Sequence, residues 1–315
     1  MAVLLEQRPT AESGRSTRRR LSAGWWQVVA SGPAIAGSAL LVVVVCALLA
    51  PWPLLAYVPL AVWAGGAAAA LTRPGERVAV RLACGFHRPR ADQAALLNDA
   101  AQRVLAAAGV PADRVDFYVR PGGQVNGFAA GGHSVAVSRR ALEDFAARGH
   151  SRVVTEALLA HEVGHLVVPG ARFGVAVWWL TMPGRAAAGA VITVCLLLSA
   201  ARHQPRRLLV AVAAAGIAYG VAQAAGRGEW PAAACLAAVA ILAVGCPLLR
   251  AAAGRATEYA ADAFAASCGY GPALAWALQH TTRPPDPIGW VSRMRADHPA
   301  GGLRLAALAE LSGRP

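Results

Sequence analysis

The chain contains no lysine. All 30 of its basic residues are arginine, set against 17 acidic residues, for a net charge of +13. Charge of either sign is scarce: 15% of the 315 residues are charged, 56% are hydrophobic, and mean hydropathy is +0.43. A chain so poor in charge is not an ordinary soluble domain, and a membrane protein is the expectation. A basic balance could serve nucleic acid, but no nucleic-acid motif and no basic helix is present, so no such partner is expected. The arginines that flank apolar segments are better explained by membrane orientation. Paired cysteine spacing is also missing. The six cysteines, Cys46, Cys84, Cys195, Cys235, Cys246 and Cys268, form no CxxC, and four of them fall in apolar runs. That argues against a disulfide framework and against a thiolate metal site, and leaves them as small buried hydrophobes.

Long apolar runs are what the chain does have. Residues 1–23 are polar and arginine-rich, with Arg18-Arg19-Arg20 near the end, and are expected to form a flexible cytoplasmic tail. Residues 24–72 hold two runs, Trp26–Ala50 and Leu54–Leu71, around Pro51-Trp52-Pro53. Each is long enough to cross about 30 Å of hydrocarbon as a helix. A cleaved signal peptide is the alternative, but the length of the region and the immediate second run favour a retained hairpin. Arg18–Arg20 on one side and Arg73, Arg77, Arg81, Arg88 and Arg90 on the other place both of its ends in the cytoplasm.

Residues 73–170 read as the body of a soluble domain. Ala91–Ala108 has the pattern of an amphipathic helix stopped by Gly109 and Pro111. Strands are expected at Val115–Val119, Gln124–Ala130 and Ser134–Ser138, followed by a short helix over Arg139–Arg148. The decisive stretch is Ser151–Val168, predicted to be one helix with Ser151 as its N-cap and Pro169-Gly170 as its stop. It carries His161-Glu162-Val163-Gly164-His165. Residues four apart share a helix face, so both imidazoles can meet one metal ion, with Glu162 placed to handle the proton of a water activated there. Chance would produce such a motif about 0.006 times in a chain of this composition. A third ligand is offered by Glu258-Tyr259-Ala260-Ala261-Asp262, in a second helical run over Leu248–Cys268. Glu258 could complete a His₂Glu set, and Asp262, on the same face, could accept a hydrogen bond from a ligand imidazole. The bland reading of this pair is an acidic helix face matched by Arg250 or Arg255.

Together, HEVGH followed by EYAAD resembles the HtpX-type membrane zinc metallopeptidases, relatives of the CAAX prenyl proteases whose pattern is HExxH and then ExxAD. Val125–Gly131 looks like the NAFA-type strand of that family, with Gly127 where alanine is common. Asp297-His298-Pro299 followed by Leu303-Arg304 looks like its C-terminal HP…R segment, with Ala300 where a second proline is common. The resemblance covers roughly residues 75–310. It implies a mainly α, integral-membrane protein: transmembrane helices plus a small α+β, gluzincin-like catalytic domain. It further implies a zinc endopeptidase with one zinc held by His161, His165 and Glu258, and Glu162 as base. Asn126, Gly127, Phe128 and Ala129 would hold an extended substrate if they lie at a sheet edge; spacing alone allows an interior strand equally well. His298 and Arg304 could stabilise an oxyanion, against the alternative of a solvated loop histidine and a surface arginine.

Residues 171–250 contain four apolar pieces, Phe173–Pro183, Ala186–Ala201, Leu208–Ala225 and Pro231–Leu249. If Glu258 is to reach His161 and His165, an even number of crossings separates them. Four crossings put Arg202–Arg207 in the cytoplasm, with Pro183-Gly184-Arg185 and Gly226–Glu229 outside. Two crossings leave some pieces in the interface, where Trp178 and Trp179 are expected to join an aromatic belt. Residues 251–315 then return to the catalytic domain. The expected partners are a polypeptide substrate, membrane-associated or misfolded, and the lipid bilayer, with the site at the cytoplasmic face of the plasma membrane. The competing readings are a CAAX-type processing enzyme, a BlaR-like sensor peptidase, and a catalytically silent membrane scaffold.

Overall fold

The computed structural model describes residues 11–147, 149–167, 171–198, 205–280 and 298–312. It is mainly helical with one small sheet. Two compact units divide the chain. The first comprises residues 1–29, 68–176 and 251–315, and the second residues 30–67 and 177–250.

The first unit is built on a three-stranded mixed sheet of order β1-β3-β2: β1 is Asp116–Arg120, β2 is Gly127–Ala130 and β3 is Ser134–Ser138. Central β3 runs parallel to β1 and antiparallel to β2, and all five of its residues are buried. Its alternation sorts the core into two layers. Val135 and Val137 face a cluster with Leu97, Val104, Leu159, Ala160, Val163, Leu274 and Leu308. Ala136 faces a smaller one with Val80, Phe86 and Tyr118, against which Phe128 packs. Full burial of such a side chain contributes about 1.5–3 kcal/mol, so these layers hold the unit together. His87 and Val119 exchange backbone hydrogen bonds of 2.9 Å at the outer side of β1. Among the described residues no strand pairs with the outer side of β2.

Around the sheet lie α4 (Arg73–Cys84), α5 (Ala91–Ala108), α6 (Arg139–Ala147) and α7 (Gly149–Val167). Of the three expected strands only Gln124–Ala130 is shortened. Asn126 uses its carbonyl to accept from Ser138 N and its amide to donate to Ser138 Oγ, and pairing as β2 starts one residue later. Helix α7 begins at Gly149, two residues before Ser151, so Ser151 lies inside the helix and is not its cap. On α4, Glu76 is buried and its carboxylate accepts from Gly132 N, His133 N and Ser134 Oγ at 2.7–3.0 Å. That clamp fixes the β2–β3 turn, where Gly131 takes φ +67°. Asp116 accepts from both Arg73 and Arg77, tying α4 to β1. The two guanidiniums outweigh the cost of burial and hold its carboxyl at about 2.

Three helical predictions change. Residues 11–23, expected as part of a flexible tail, belong to α1 (Ala11–Leu48). They contain no proline, and Arg15, Arg18, Arg19, Arg20 and Leu21 are good helix formers, so the helix carries through. Residues 1–10 lie outside the described set. The pieces predicted at Phe173–Pro183 and Ala186–Ala201 are one helix, α8 (Gly174–Leu198), which passes through Pro183. The loop that four crossings require at Pro183–Arg185 is therefore absent. The backbone groups around the proline find side-chain partners instead: Trp63 Nε1 donates to Leu180 O at 3.1 Å and Gly184 N to Ser38 Oγ at 3.0 Å. This is how a helix tolerates an internal proline. After α9 (Pro205–Gly226), the last apolar piece and the EYAAD run form one 38-residue helix, α10 (Trp230–Ser267), which carries Pro247 within it. Finally, Trp179 donates to Trp63 O at 2.9 Å and its indole covers Gly66. It is a packing residue of the second unit, whereas Trp178 is partly exposed. The loop predicted at Pro284–Pro287 lies outside the described residues, as do residues 202–204.

Two stretches, Val28–Leu48 and Pro53–Ala70 (α2, Pro53–Ala56, and α3, Val58–Ala70), are long and apolar enough to cross a membrane. Only 22% and 11% of their apolar windows are buried. The core helix of a soluble protein would be covered, so these surfaces turn outward. Cys46, Cys84, Cys235, Cys246 and Cys268 are free.

Candidate metal and active site

Helix α7 presents His161, Glu162 and His165; α10 presents Glu258 and Asp262. What brings the two helices together is the glycine of HEVGH. A methyl placed on Gly164 would lie 3.0 Å from Ala261 Cα and 3.1 Å from Phe264 Cδ1, so only glycine lets α10 approach this closely. His161, Glu162, Glu258 and Asp262 are all buried in consequence.

The donor atoms converge. His161 Nε2 lies 3.2 Å from His165 Nε2 and 3.4 Å from Glu258 Oε2, and His165 Nε2 lies 3.6 Å from Glu258 Oε1. The edge of a tetrahedron with bonds near 2.1 Å is about 3.4 Å, the spacing of a His₂Glu zinc site. The residues therefore fit a metal ion. Among the described residues this is the one His/Cys/Asp/Glu group so arranged. The other nitrogen of His161, Nδ1, donates to Asp262 Oδ1 at 2.9 Å, which fixes the ring and leaves Nε2 for the cation.

The electrostatics follow from burial. Burial drives His165 down to about 4, so its imidazole is neutral at neutral pH. Burial also opposes a proton on His161, but hydrogen bonds to Asp262 and Glu258 outweigh it and raise the group to about 9. A cation at Nε2 must displace that proton. Glu162 is pushed up to about 7 by burial, against the pull of His161. Burial opposes ionisation of Glu258, but its hydrogen bonds to His161 and His298 overcome it and hold the carboxyl far below its ordinary range; Asp262 is lowered as well, by His161 and Arg304.

Helix α11 (Gly271–His280) and α12 (Gly301–Ser312) close the site. Arg304, on α12 and 6% exposed, lies 2.8 Å from Glu258 Oε2 through Nη1 and donates to Asp262 through Nε (2.7 Å) and Nη2 (2.5 Å). The alternative of a surface arginine is thereby excluded. The Arg304 fork is committed to the two carboxylates of α10, because a buried guanidinium needs anionic partners. His298 sits at the rim, its side chain 67% exposed, with Nδ1 2.8 Å from Glu258 Oε1.

The strand residues divide. Gly127 stands against Glu162: a methyl there would come within 2.7 Å of Glu162 Cγ, so the missing side chain makes room for the base. Gly127 and Ala129 pair with Val137 and Val135 and share the α7 face. Phe128 points to the opposite layer, with the Arg120 guanidinium 4.2 Å over its ring. Its side chain is thus not placed at the site, since alternate strand residues face opposite ways. Asn126 turns its side chain back to accept from Gly127 N. No sequence pattern marks the Glu76 clamp or the space that Gly127 leaves. Each depends on a contact between segments far apart in the chain.

A buried His₂Glu set with a carboxylic acid beside it is the site of a metallopeptidase. A profile of peptidase family M48 matches residues 91–312, and the chain belongs to that family, which includes HtpX and the CAAX prenyl proteases. Among curated proteins and among solved structures, none matches.

Proposed function

We propose that this peptidase is a membrane-bound zinc endopeptidase that cleaves membrane-associated or misfolded polypeptides at the cytoplasmic face. The observation that carries the reading is the convergence of His161, His165 and Glu258 at tetrahedral spacing, with Glu162 alongside. A zinc ion held there would act as a Lewis acid on the scissile carbonyl and on the attacking water. The chain's own groups supply the rest. Glu162, poised near neutrality, takes the proton of the attacking water and passes it to the leaving amine. Asp262 holds the tautomer of His161, and Arg304 holds Asp262 and Glu258 in place. The outer edge of β2, unpaired among the described residues and beside Glu162, supports binding of an extended substrate by strand addition. The outward apolar surfaces of Val28–Leu48 and Pro53–Ala70, with arginines at both ends of the pair, support membrane insertion with the site in the cytoplasm.

The test is hydrolysis of casein by detergent-purified protein supplied with zinc, beside Glu162→Gln. The expected result is cleavage by the wild type and at least a roughly 100-fold loss in the variant. Equal rates for the two would remove Glu162 from the chemistry and the proposal with it.

A further inference from the structure

Helix α4 follows the second candidate span after only Leu71 and Thr72. It is capped at both ends: Gly75 N donates to Thr72 Oγ1 at 3.2 Å, and Gly85 closes it at φ +66°. One face is buried, through Glu76 and Val80. A second row, Pro74, Val78 and Leu82 at four-residue spacing, is apolar and faces outward; Val78 is 55% and Leu82 83% exposed. Beside it runs a third row, Arg73, Arg77 and Arg81, each one residue before its apolar neighbour. Glu76, the helix's only acid, is turned inward to the β2–β3 turn, and Asp116 neutralises only one of the two arginines it binds. Arg88 and Arg90, both exposed, extend the basic surface past Gly85.

Resting on the membrane-bound reading above, we propose that α4 lies in the headgroup layer of an anionic leaflet. Pro74, Val78 and Leu82 enter the acyl boundary, and exposed Arg88 and Arg90, with the charge that Asp116 leaves on the arginine row, meet lipid phosphates. An apolar row flanked by cations is the pattern of an in-plane interfacial helix. Two observations favour a bilayer over a protein partner. The chain leaves a candidate span two residues earlier, so α4 starts at the membrane boundary, and the surface beside the apolar row carries a net positive charge. The function served is to hold the catalytic unit against the membrane that carries its substrates.

The experiment places the photoreactive residue benzoylphenylalanine at Val78, at Leu82, or at exposed Glu143 on α6 as control, in the full chain reconstituted into vesicles. The vesicles are phosphatidylcholine with or without phosphatidylglycerol, and adducts are identified by mass spectrometry. Lipid adducts at 78 and 82, none at 143, and a several-fold rise with phosphatidylglycerol that Arg88→Gln with Arg90→Gln reduces, are the expected result. Adducts to protein alone, no adducts, or equal yield in both lipids would overturn it. Loss of the protein from vesicles on carbonate extraction would overturn the membrane reading as well, whereas retention without lipid adducts overturns the α4 inference alone. Neither readout depends on peptidase activity.

Discussion

Replacing Asp262 with asparagine keeps the side chain's shape and removes one acceptor. In the native site Oδ1 receives both His161 Nδ1 (2.9 Å) and Arg304 Nη2 (2.5 Å), while Oδ2 receives Arg304 Nε (2.7 Å). An asparagine has one oxygen and one NH₂ for these two positions. With its oxygen at the Oδ1 place, the NH₂ confronts the Nε–H of Arg304, donor against donor, in a site 1% exposed. With the amide reversed, the NH₂ confronts His161, whose Nδ1 must then accept, and the proton moves to Nε2, the nitrogen that faces the metal. Either orientation loses a charge-assisted bond, and the second also blocks a ligand. Changes at such supporting partners weaken metal binding about 10–100-fold, or about 1.4–2.7 kcal/mol. The assay is competition for zinc between the purified protein and a chromogenic chelator at neutral pH. An affinity within about two-fold of wild type would refute the reasoning, because it would mean that the His161–Asp262 contact does not set the tautomer.

Gly164→Val should separate α7 from α10, costing about 1–3 kcal/mol of stability and lowering metal affinity together; thermal melts and metal titration of the variant read both, and an unchanged pair would contradict the close approach at Ala261. Asp116→Asn tests the tie between α4 and β1. Because the carboxyl is lowered from 3.8 to about 2, its stabilisation is present above about pH 4 and is lost as pH falls towards 2. With Arg73 and Arg77 each about a third exposed, screening reduces the effect to about 1 kcal/mol. Denaturant titrations of the solubilised protein should show that gap near pH 6 and none near pH 2; an equal gap at both would sink the ion-pair account.

The parts of the site that are local in sequence were legible before the fold was known. His161 and His165 share a face because they lie four apart on α7, and Glu258 and Asp262 do so on α10. Strand β3 and helix α5 follow their hydrophobic patterns to the residue. What periodicity could not carry was anything set by distant contacts. Nothing at Arg304 announces that its guanidinium will be buried between two carboxylates. Nor does the strand pattern reveal that β2 is short, that Phe128 faces away, or that Gly127 makes room for Glu162. Proline misled in the opposite direction. Pro183 reads as punctuation, yet α8 runs through it, and Ser38 and Trp63 serve the disturbed backbone groups.

The central claim is that His161, His165 and Glu258 hold one metal ion between α7 and α10. Metal content of the purified protein tests it most directly, measured by elemental mass spectrometry on wild type, His165→Ala and Glu258→Gln after equilibration with zinc and exhaustive washing. About one zinc per wild-type chain is expected, and a small fraction of that in either variant. Full zinc in Glu258→Gln, or none in the wild type, would contradict it.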